Sequence, residues 1–157
     1  MNRKTQTARS STLWALVILL VMIGIGALVS GPMLFLSPNG DLIKIPVEIL
    51  QGTPFQSYLI PGIILFLFVG IFPLLVGYGL LRRPDWSWAK AINACSGYHW
   101  SWTASWASGV ILIIWIIVET VLLGYISFLQ PLIAVWGISI IALTLRPNIR
   151  RYYIIPS

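Results

Sequence analysis

The chain has 157 residues, of which 58% are hydrophobic and only 9% are charged, and its mean hydropathy is +0.89. This composition excludes an ordinary soluble domain and predicts a protein whose solvent is lipid. The formal charge of +6 does not indicate a nucleic-acid partner, because the cations lie in short segments between apolar runs. The single cysteine, Cys95, excludes an intramolecular disulfide, a CxxC redox pair and the thiol–quinone oxidoreductases that depend on one.

Four apolar runs alternate with charged segments. Each is close to the ~20 residues that a helix needs to cross ~30 Å of hydrocarbon. The predicted fold is therefore a single all-α domain over residues 1–157, a bundle of four transmembrane helices. The predicted spans are about 13–29, 59–81, 104–125 and 129–145.

The basic residues lie almost entirely on one side of this arrangement. Only Lys44 lies in the loop 31–58, whereas the other cations flank the spans at the opposite end. By the positive-inside rule, both termini and the loop 82–103 are cytoplasmic, and the loop 31–58 and the turn Ser127–Gln130 are outside. We expect a multi-pass protein of a cell membrane, most simply the bacterial cytoplasmic membrane. The cations on the predicted inner side are Arg3, Lys4, Arg9, Arg82, Arg83, Lys90, Arg146, Arg150 and Arg151.

The first apolar run also follows a basic start, as a signal peptide would. Its length exceeds the apolar core of a signal peptide, so we expect it to be retained as a span. Gly26 and Ser30 form a small-xxx-small pair, which would let another helix approach closely in lipid.

The outer loop predicts a small cap over the helix ends. Asn39-Gly40 favours a tight turn between the apolar segments Met33–Leu36 and Leu42–Ile45, hence a β-hairpin. The spacing of prolines and glycines around Val47–Gln51 predicts one or two helical turns. Two interpretations stay open: a compact cap folded onto the outer ends of the helices, or a lid or docking surface for an extracytoplasmic partner.

The inner loop carries a dense set of aromatic residues. Asp85 is suited to capping a short helix that runs to about Cys95 and lies in the membrane surface. A tryptophan cluster here is typical of an interfacial aromatic belt; the alternative is a stacking platform for a quinone, a haem or a chlorin. His99 is the only histidine, and one imidazole without a partner motif does not predict a cofactor or metal site. It is expected to form an interfacial hydrogen bond, and a single axial ligand to a haem or chlorin is the alternative. The cluster comprises Trp86, Trp88, Trp100, Trp102 and Trp106.

Glu119 is the one ionisable residue well inside a predicted span. Helical periodicity puts it on the same face as Ser101, with Ser105 and Gly109 extending a row of small residues. Small residues predict a helix-packing face, so Glu119 is expected to point into the bundle. It is either a structural hydrogen-bonding group, with partners such as Thr120, Tyr125, Gln130 or a loop carbonyl, or a proton or cation site.

Prolines mark where the spans begin, bend and end. Pro61 and Pro131 fit first helical turns, Pro73 predicts a kink in the second span, and Pro147 ends the fourth. The short Ser127–Gln130 connection makes the third and fourth spans an antiparallel hairpin.

Some of these motifs resemble those of small four-helix integral membrane proteins found in many bacteria. The resemblance rests on Gln51-Gly52-Thr53-Pro54-Phe55 leading into Pro61-Gly62, on the tryptophan-rich third span, and on Phe128-Leu129-Gln130-Pro131. It implies the four-helix fold and transfers no chemistry.

Two functions are therefore expected from the sequence. The first is a non-catalytic accessory or scaffold subunit that packs with partner membrane proteins or with copies of itself. The second is a small transporter or channel that uses Glu119. An enzyme is not expected, because the chain has no HExxH, phosphate loop or acidic metal cluster, and one histidine does not assemble a Ser/His/Asp set.

Overall fold

The computed structural model describes residues 3–95 and 97–155. Within these residues the protein is helical and contains no β-strand. In chain order the α-helices are α1 (Arg3–Phe35), α2 (Leu59–Ile64), α3 (Phe72–Arg82), α4 (Ser87–Ala91), α5 (Trp100–Leu123), α6 (Leu129–Thr144) and α7 (Pro147–Tyr152). A 3₁₀ turn covers Val47–Leu50, and a π-helical segment, Leu65–Ile71, joins α2 to α3 in one continuous rod.

Three helical stretches are long and apolar enough to cross a membrane: Ser11–Phe35, Leu59–Arg82 and Trp100–Leu123. They indicate a multi-pass helical membrane protein. The fourth predicted span corresponds to α6, an apolar helix of 16 residues. At 1.5 Å per residue α6 is about 24 Å long, shorter than the ~30 Å hydrocarbon layer.

The β-hairpin predicted in the outer loop is wrong. Helix α1 continues through Pro32 to Phe35, so Met33 to Phe35 are helical, and residues 36–44 form bends and turns. The reason is packing, because α2 lies against this last part of α1. A Cβ placed on Gly31 would lie 2.8 Å from Cβ of Phe66, and one on Gly62 would lie 2.8 Å from the backbone nitrogen of Phe35.

The tight turn itself is present at Gly40. This residue has φ +86°, and a Cβ there would overlap the Ile45 carbonyl oxygen, so only glycine fits. Tyr58 ties the loop down, since its backbone N–H donates to Pro38 O (2.9 Å) and its hydroxyl donates to Pro46 O (3.2 Å). Burial, and then the nearby Glu48 carboxylate, raises the pKa of the Tyr58 phenol. The two hydrogen bonds of Tyr58 therefore hold the loop at Pro38 and at Pro46.

At Pro73, where a kink is expected, the structure has a π-helical segment directly before the proline. Proline has no backbone N–H, so the carbonyl one turn earlier loses its usual partner. In a π-helical turn the backbone N–H groups bond to carbonyls five residues earlier instead of four, and this wider turn accommodates the proline inside a long helix. The rod Leu59–Arg82 therefore remains helical throughout.

Glycines allow the long helices to approach closely in pairs. Gly24 and Gly70 lie where α1 contacts the α2–α3 rod: a Cβ on Gly24 would lie 3.0 Å from Gly70 O. Gly109 of α5 faces Gly137 of α6, with a Cβ on Gly109 only 2.7 Å from Gly137 O. The pairs are joined where α3 contacts α5 and α1 contacts α6.

The helix expected in the inner loop from Asp85 to about Cys95 is shorter than predicted. Helix α4 spans only Ser87–Ala91, and Asp85 forms an ion pair with Lys90 instead of capping it. The Asn93 side chain explains the early end, because its Oδ1 accepts from Cys95 N (3.3 Å) and its Nδ2 donates to Tyr98 O (2.8 Å). Such side-chain bonds compete with continuation of a helix.

Candidate functional site

The small-residue face of α5 lies inside the protein. Ser101 and Ser105 are both fully buried. The Ser105 hydroxyl lies 2.8 Å from the Thr144 hydroxyl on α6, and the Trp102 indole donates to Thr144 O at 3.0 Å. A polar connection between α5 and α6 therefore exists near the start of α5. We call this connection the Ser105–Thr144 link.

The Gly109–Gly137 contact lies about one turn further along α5. A Cβ on Gly137 would in turn lie 3.0 Å from Gly109 O and 2.9 Å from Cγ1 of Ile113. Both glycines therefore let the two backbones approach each other without an intervening side chain.

Glu119 lies at the far end of the same pair of helices, half-buried. The Gln130 amide nitrogen donates to its Oε1 at 3.4 Å. Gln130 is almost completely buried and also donates to Gly124 O (3.1 Å), while its own oxygen accepts from Ile126 N (3.0 Å). The structure thus brings Glu119 to one of its predicted partners, in a network that fixes the connection between α5 and α6.

Apolar residues separate Glu119 from the Ser105–Thr144 link. Between Ser108 and Glu119, a distance of about 16 Å along the helix, the buried side chains of α5 are Leu112 and Ile116. Ser108 itself donates back to Ala104 O at 2.9 Å. The described residues therefore show two polar sites at opposite ends of α5, with a packed apolar layer between them.

The structure divides the predicted tryptophan cluster. Trp86 stacks on Trp88 and on Trp100, with ring centroids 5.4 Å and 5.1 Å apart, and Tyr78 lies 6.0 Å from Trp86. The Trp100 indole donates to Pro84 O at 2.9 Å. The indole faces thus contact one another, which fixes the 82–86 turn against the start of α5.

The other two tryptophans lie apart from this stack. Trp102 is buried and stacks on Tyr98 with ring centroids 4.3 Å apart. Trp106 is partly buried against the apolar core. The belt and platform interpretations of the five tryptophans both stay predictions.

His99 caps the N-terminus of α5. Its Nδ1 accepts from Ser101 N at 3.3 Å and lies 2.8 Å from the Ser101 hydroxyl, which assigns the proton of the neutral ring to Nε2. Burial, followed by the charge of Arg83, lowers the pKa of the imidazole. The described residues contain no group of three or more His, Cys, Asp or Glu side chains placed to hold a metal.

Two polar anchors were not found from the sequence. Tyr153 is fully buried and its hydroxyl donates to Leu80 O at 2.6 Å, while its carbonyl accepts from His99 N at 2.8 Å. Trp136 of α6 donates to Leu19 O of α1 at 3.1 Å. The sequence indicates only that a Tyr or Trp in an apolar segment needs a hydrogen-bond partner for its one polar atom. It does not specify which residue that partner is.

Comparisons of the chain with protein-family models, with curated proteins and with solved structures gave no match. The resemblance to small four-helix membrane proteins therefore stays a prediction.

Proposed function

We infer that the protein crosses the membrane four times, with both termini and the loop 82–103 in the cytoplasm. Helix α6 supplies the fourth span, since it packs along α5 from Gln130 to Thr144 and must lie in the same layer as its partner. Its shortness can be accommodated by local thinning of the bilayer, at fractions of a kcal/mol per Å. The concentration of Lys and Arg at one end supports the orientation.

We further infer that this membrane protein is a non-catalytic accessory or scaffold subunit, which packs with partner membrane proteins or with a second copy of itself. One observation carries the proposal: several of the polar side chains inside the protein join its own helices. The Ser105–Thr144 link, the bond from Trp136 to Leu19 O and the Gln130 network are all of this kind.

The apolar layer at Leu112 and Ile116 favours this proposal over transport through α5. A proton or cation pathway requires a series of polar groups or water-filled space. Along α5, Glu119 hydrogen-bonds to Trp115, and the buried side chains beyond it, Ile116 and Leu112, are apolar. Its contact with Gln130 supports a structural role.

The orientation is tested with single cysteines at Asn39, Ser87 and Asn148 in a Cys95→Ser background. An impermeant thiol reagent applied to intact cells should label only the cysteine at position 39. Labelling at position 87 or 148 before the cells are opened would contradict the proposed orientation.

The function is tested by purifying the tagged protein in mild detergent and by reconstituting it in vesicles. A partner membrane protein or a second copy should co-purify in fixed ratio, both for the native chain and for Glu119→Gln. A pH-dependent ion flux that appears with the native protein and is lost in Glu119→Gln would contradict the scaffold proposal and support a transporter.

A further inference from the structure

A groove of about 400 Å³ opens at the end of the protein where α5 begins and α6 ends. It lies between α7 and the segment that precedes α5. It combines cationic, hydroxyl and apolar groups in one place, unlike the uniformly apolar faces of the long helices. Its lining residues are Tyr98, Leu145, Pro147, Arg150, Arg151 and Ile154.

Backbone pairing holds the two walls of this groove together. Tyr98 and Ile154 form an antiparallel bridge, and Ile155 N donates to Gly97 O at 3.0 Å. The buried Tyr153 lies beneath them, anchored on Leu80 O. The groove is thus built from packed, hydrogen-bonded chain on both sides.

Arg150 is already oriented within the groove. Its Nε donates to the Tyr98 hydroxyl at 2.7 Å, and its guanidinium carbon lies 5.5 Å from the centre of the Tyr98 ring. Because this hydroxyl accepts from Arg150, its own proton is left to donate to an anion. The remaining N–H groups of the Arg150 guanidinium form a fork suited to a phosphate.

No acidic side chain among the described residues neutralises the charge of the groove. The sequence has only four acidic side chains, and Asp85 is paired with Lys90. Asp41 and Glu48 belong to the loop at the other end, and Glu119 contacts Gln130. Within the residues that the structure describes, no carboxylate lies within ion-pair distance of Arg150 or Arg151.

Apolar surface directly adjoins these cations. Leu145 at the end of α6 is 50% exposed and Ile154 is 47% exposed. A free inorganic anion would use the arginines and leave these side chains in water, whereas an amphiphile would cover both.

We propose that this groove binds an anionic phospholipid. Arg150, Arg151 and the Tyr98 hydroxyl hold the phosphate, and the first carbons of an acyl chain lie against Leu145 and Ile154. This inference rests on the proposed membrane insertion, which is measured separately by resistance of the protein to extraction with alkaline carbonate. A protein that resists extraction yet shows no lipid preference would refute the groove alone.

The test is a titration of the detergent-purified full chain, followed by native mass spectrometry, with short-chain phosphatidylglycerol, short-chain phosphatidylcholine and inorganic phosphate as probes. Phosphatidylglycerol should bind more tightly than phosphatidylcholine, and inorganic phosphate should not compete with it at equal concentration. Since a cation near an anionic headgroup contributes about 1 kcal/mol, Arg151→Gln should weaken phosphatidylglycerol binding about fivefold.

Arg82→Gln is the matched control, because Arg82 is an exposed arginine at the same end that does not line the groove. Its affinity for phosphatidylglycerol should stay unchanged. Arg150→Gln with Arg151→Gln should weaken binding by about 25-fold if the effects add; if the double variant does not fold, Arg151→Gln alone decides. Equal binding of both lipids, equal loss in Arg82→Gln, or full competition by inorganic phosphate would overturn the proposal.

Discussion

The Ser105 hydroxyl donates to the Thr144 hydroxyl across the contact between α5 and α6, at 2.8 Å. The direction follows from Thr144, whose own proton goes to Ile140 O at 2.7 Å. Thr144 therefore accepts from the neighbouring helix while donating along its own helix. Both residues are fully buried, so water does not compete for either hydroxyl.

This link should contribute a measurable but modest part of the stability. Hydrogen bonds between membrane helices average about 0.6 kcal/mol and reach about 1.7 kcal/mol in double-mutant cycles. We expect Ser105→Ala and Thr144→Val each to lower the free energy of unfolding, and the double variant to lose less than the sum. A cycle measured by unfolding in detergent tests this; strictly additive losses would show that the two hydroxyls do not interact.

The Gly109–Gly137 contact predicts a large effect of a single methyl group. Gly109→Ala would place Cβ 2.7 Å from Gly137 O and 2.6 Å from Cγ1 of Ile141, so the helices must separate and the melting temperature should fall. Gly26→Ala is the matched control, because nothing lies within 4 Å of its Cβ position. At either position, replacing glycine with alanine raises the intrinsic helix propensity by about 1 kcal/mol. Equal melting temperatures for the two variants would contradict close packing at Gly109.

His99 predicts that acid destabilises the protein. Its pKa is lowered in the folded chain from an ordinary value of 6.5, so the unfolded chain binds the proton more tightly. The contribution of the neutral ring to stability is therefore complete above about pH 6.5 and is lost as the pH falls toward the lower, folded pKa. Around the ring, Arg83 and Lys90 favour the neutral form, whereas Asp85 and the Pro84 carbonyl favour the charged one.

The measurement is thermal melting of the purified protein at about pH 8 and about pH 5.5, on either side of the ordinary histidine pKa. His99→Asn keeps a side chain suited to the N-cap of α5 but cannot titrate. The drop in melting temperature on acidification should be smaller in this variant. An identical drop in both proteins would assign the acid sensitivity to another group.

Glu119 and Gln130 should differ in how much stability they contribute. Gln130→Leu removes the hydrogen bonds to Ile126 N–H and Gly124 C=O, and each such bond contributes about 0.5–1.5 kcal/mol. Glu119→Leu removes one long contact of Gln130 and a side-chain hydrogen bond with Trp115, and should cost about 1 kcal/mol. Glu119→Gln retains a polar partner and should unfold like the native chain. A larger loss in Glu119→Gln than in Gln130→Leu would reverse this order.

The apolar helices could be predicted because hydropathy acts on each segment separately. Runs such as 59–81 correspond closely to the rod Leu59–Arg82, and no tertiary contact is needed to find them. The contact between Glu119 and Gln130 could also be predicted, because a short connection brings the start of α6 beside the end of α5.

The predictions that failed depend on contacts between distant residues. Asn39-Gly40 alone indicates a hairpin. However, α2 packs on Gly31 and holds the residues before this turn, up to Phe35, in α1. Asp85 is suited to capping, yet Asn93 ends the helix early by bonding to Cys95 and Tyr98. Local preference is of order 1 kcal/mol per residue and is readily outweighed by packing of this kind.

The bond from Trp136 to Leu19 O has a consequence for the order of assembly. These residues are 117 positions apart, so the carbonyl on α1 is made long before the indole that reaches it. Helix α1 can pair with the α2–α3 rod as soon as that rod is inserted, whereas its contact with α6 must wait for the whole α5–α6 hairpin. Closure between α1 and α6 is therefore a late step of biogenesis, and a chain stalled before residue 136 leaves that side of α1 to lipid.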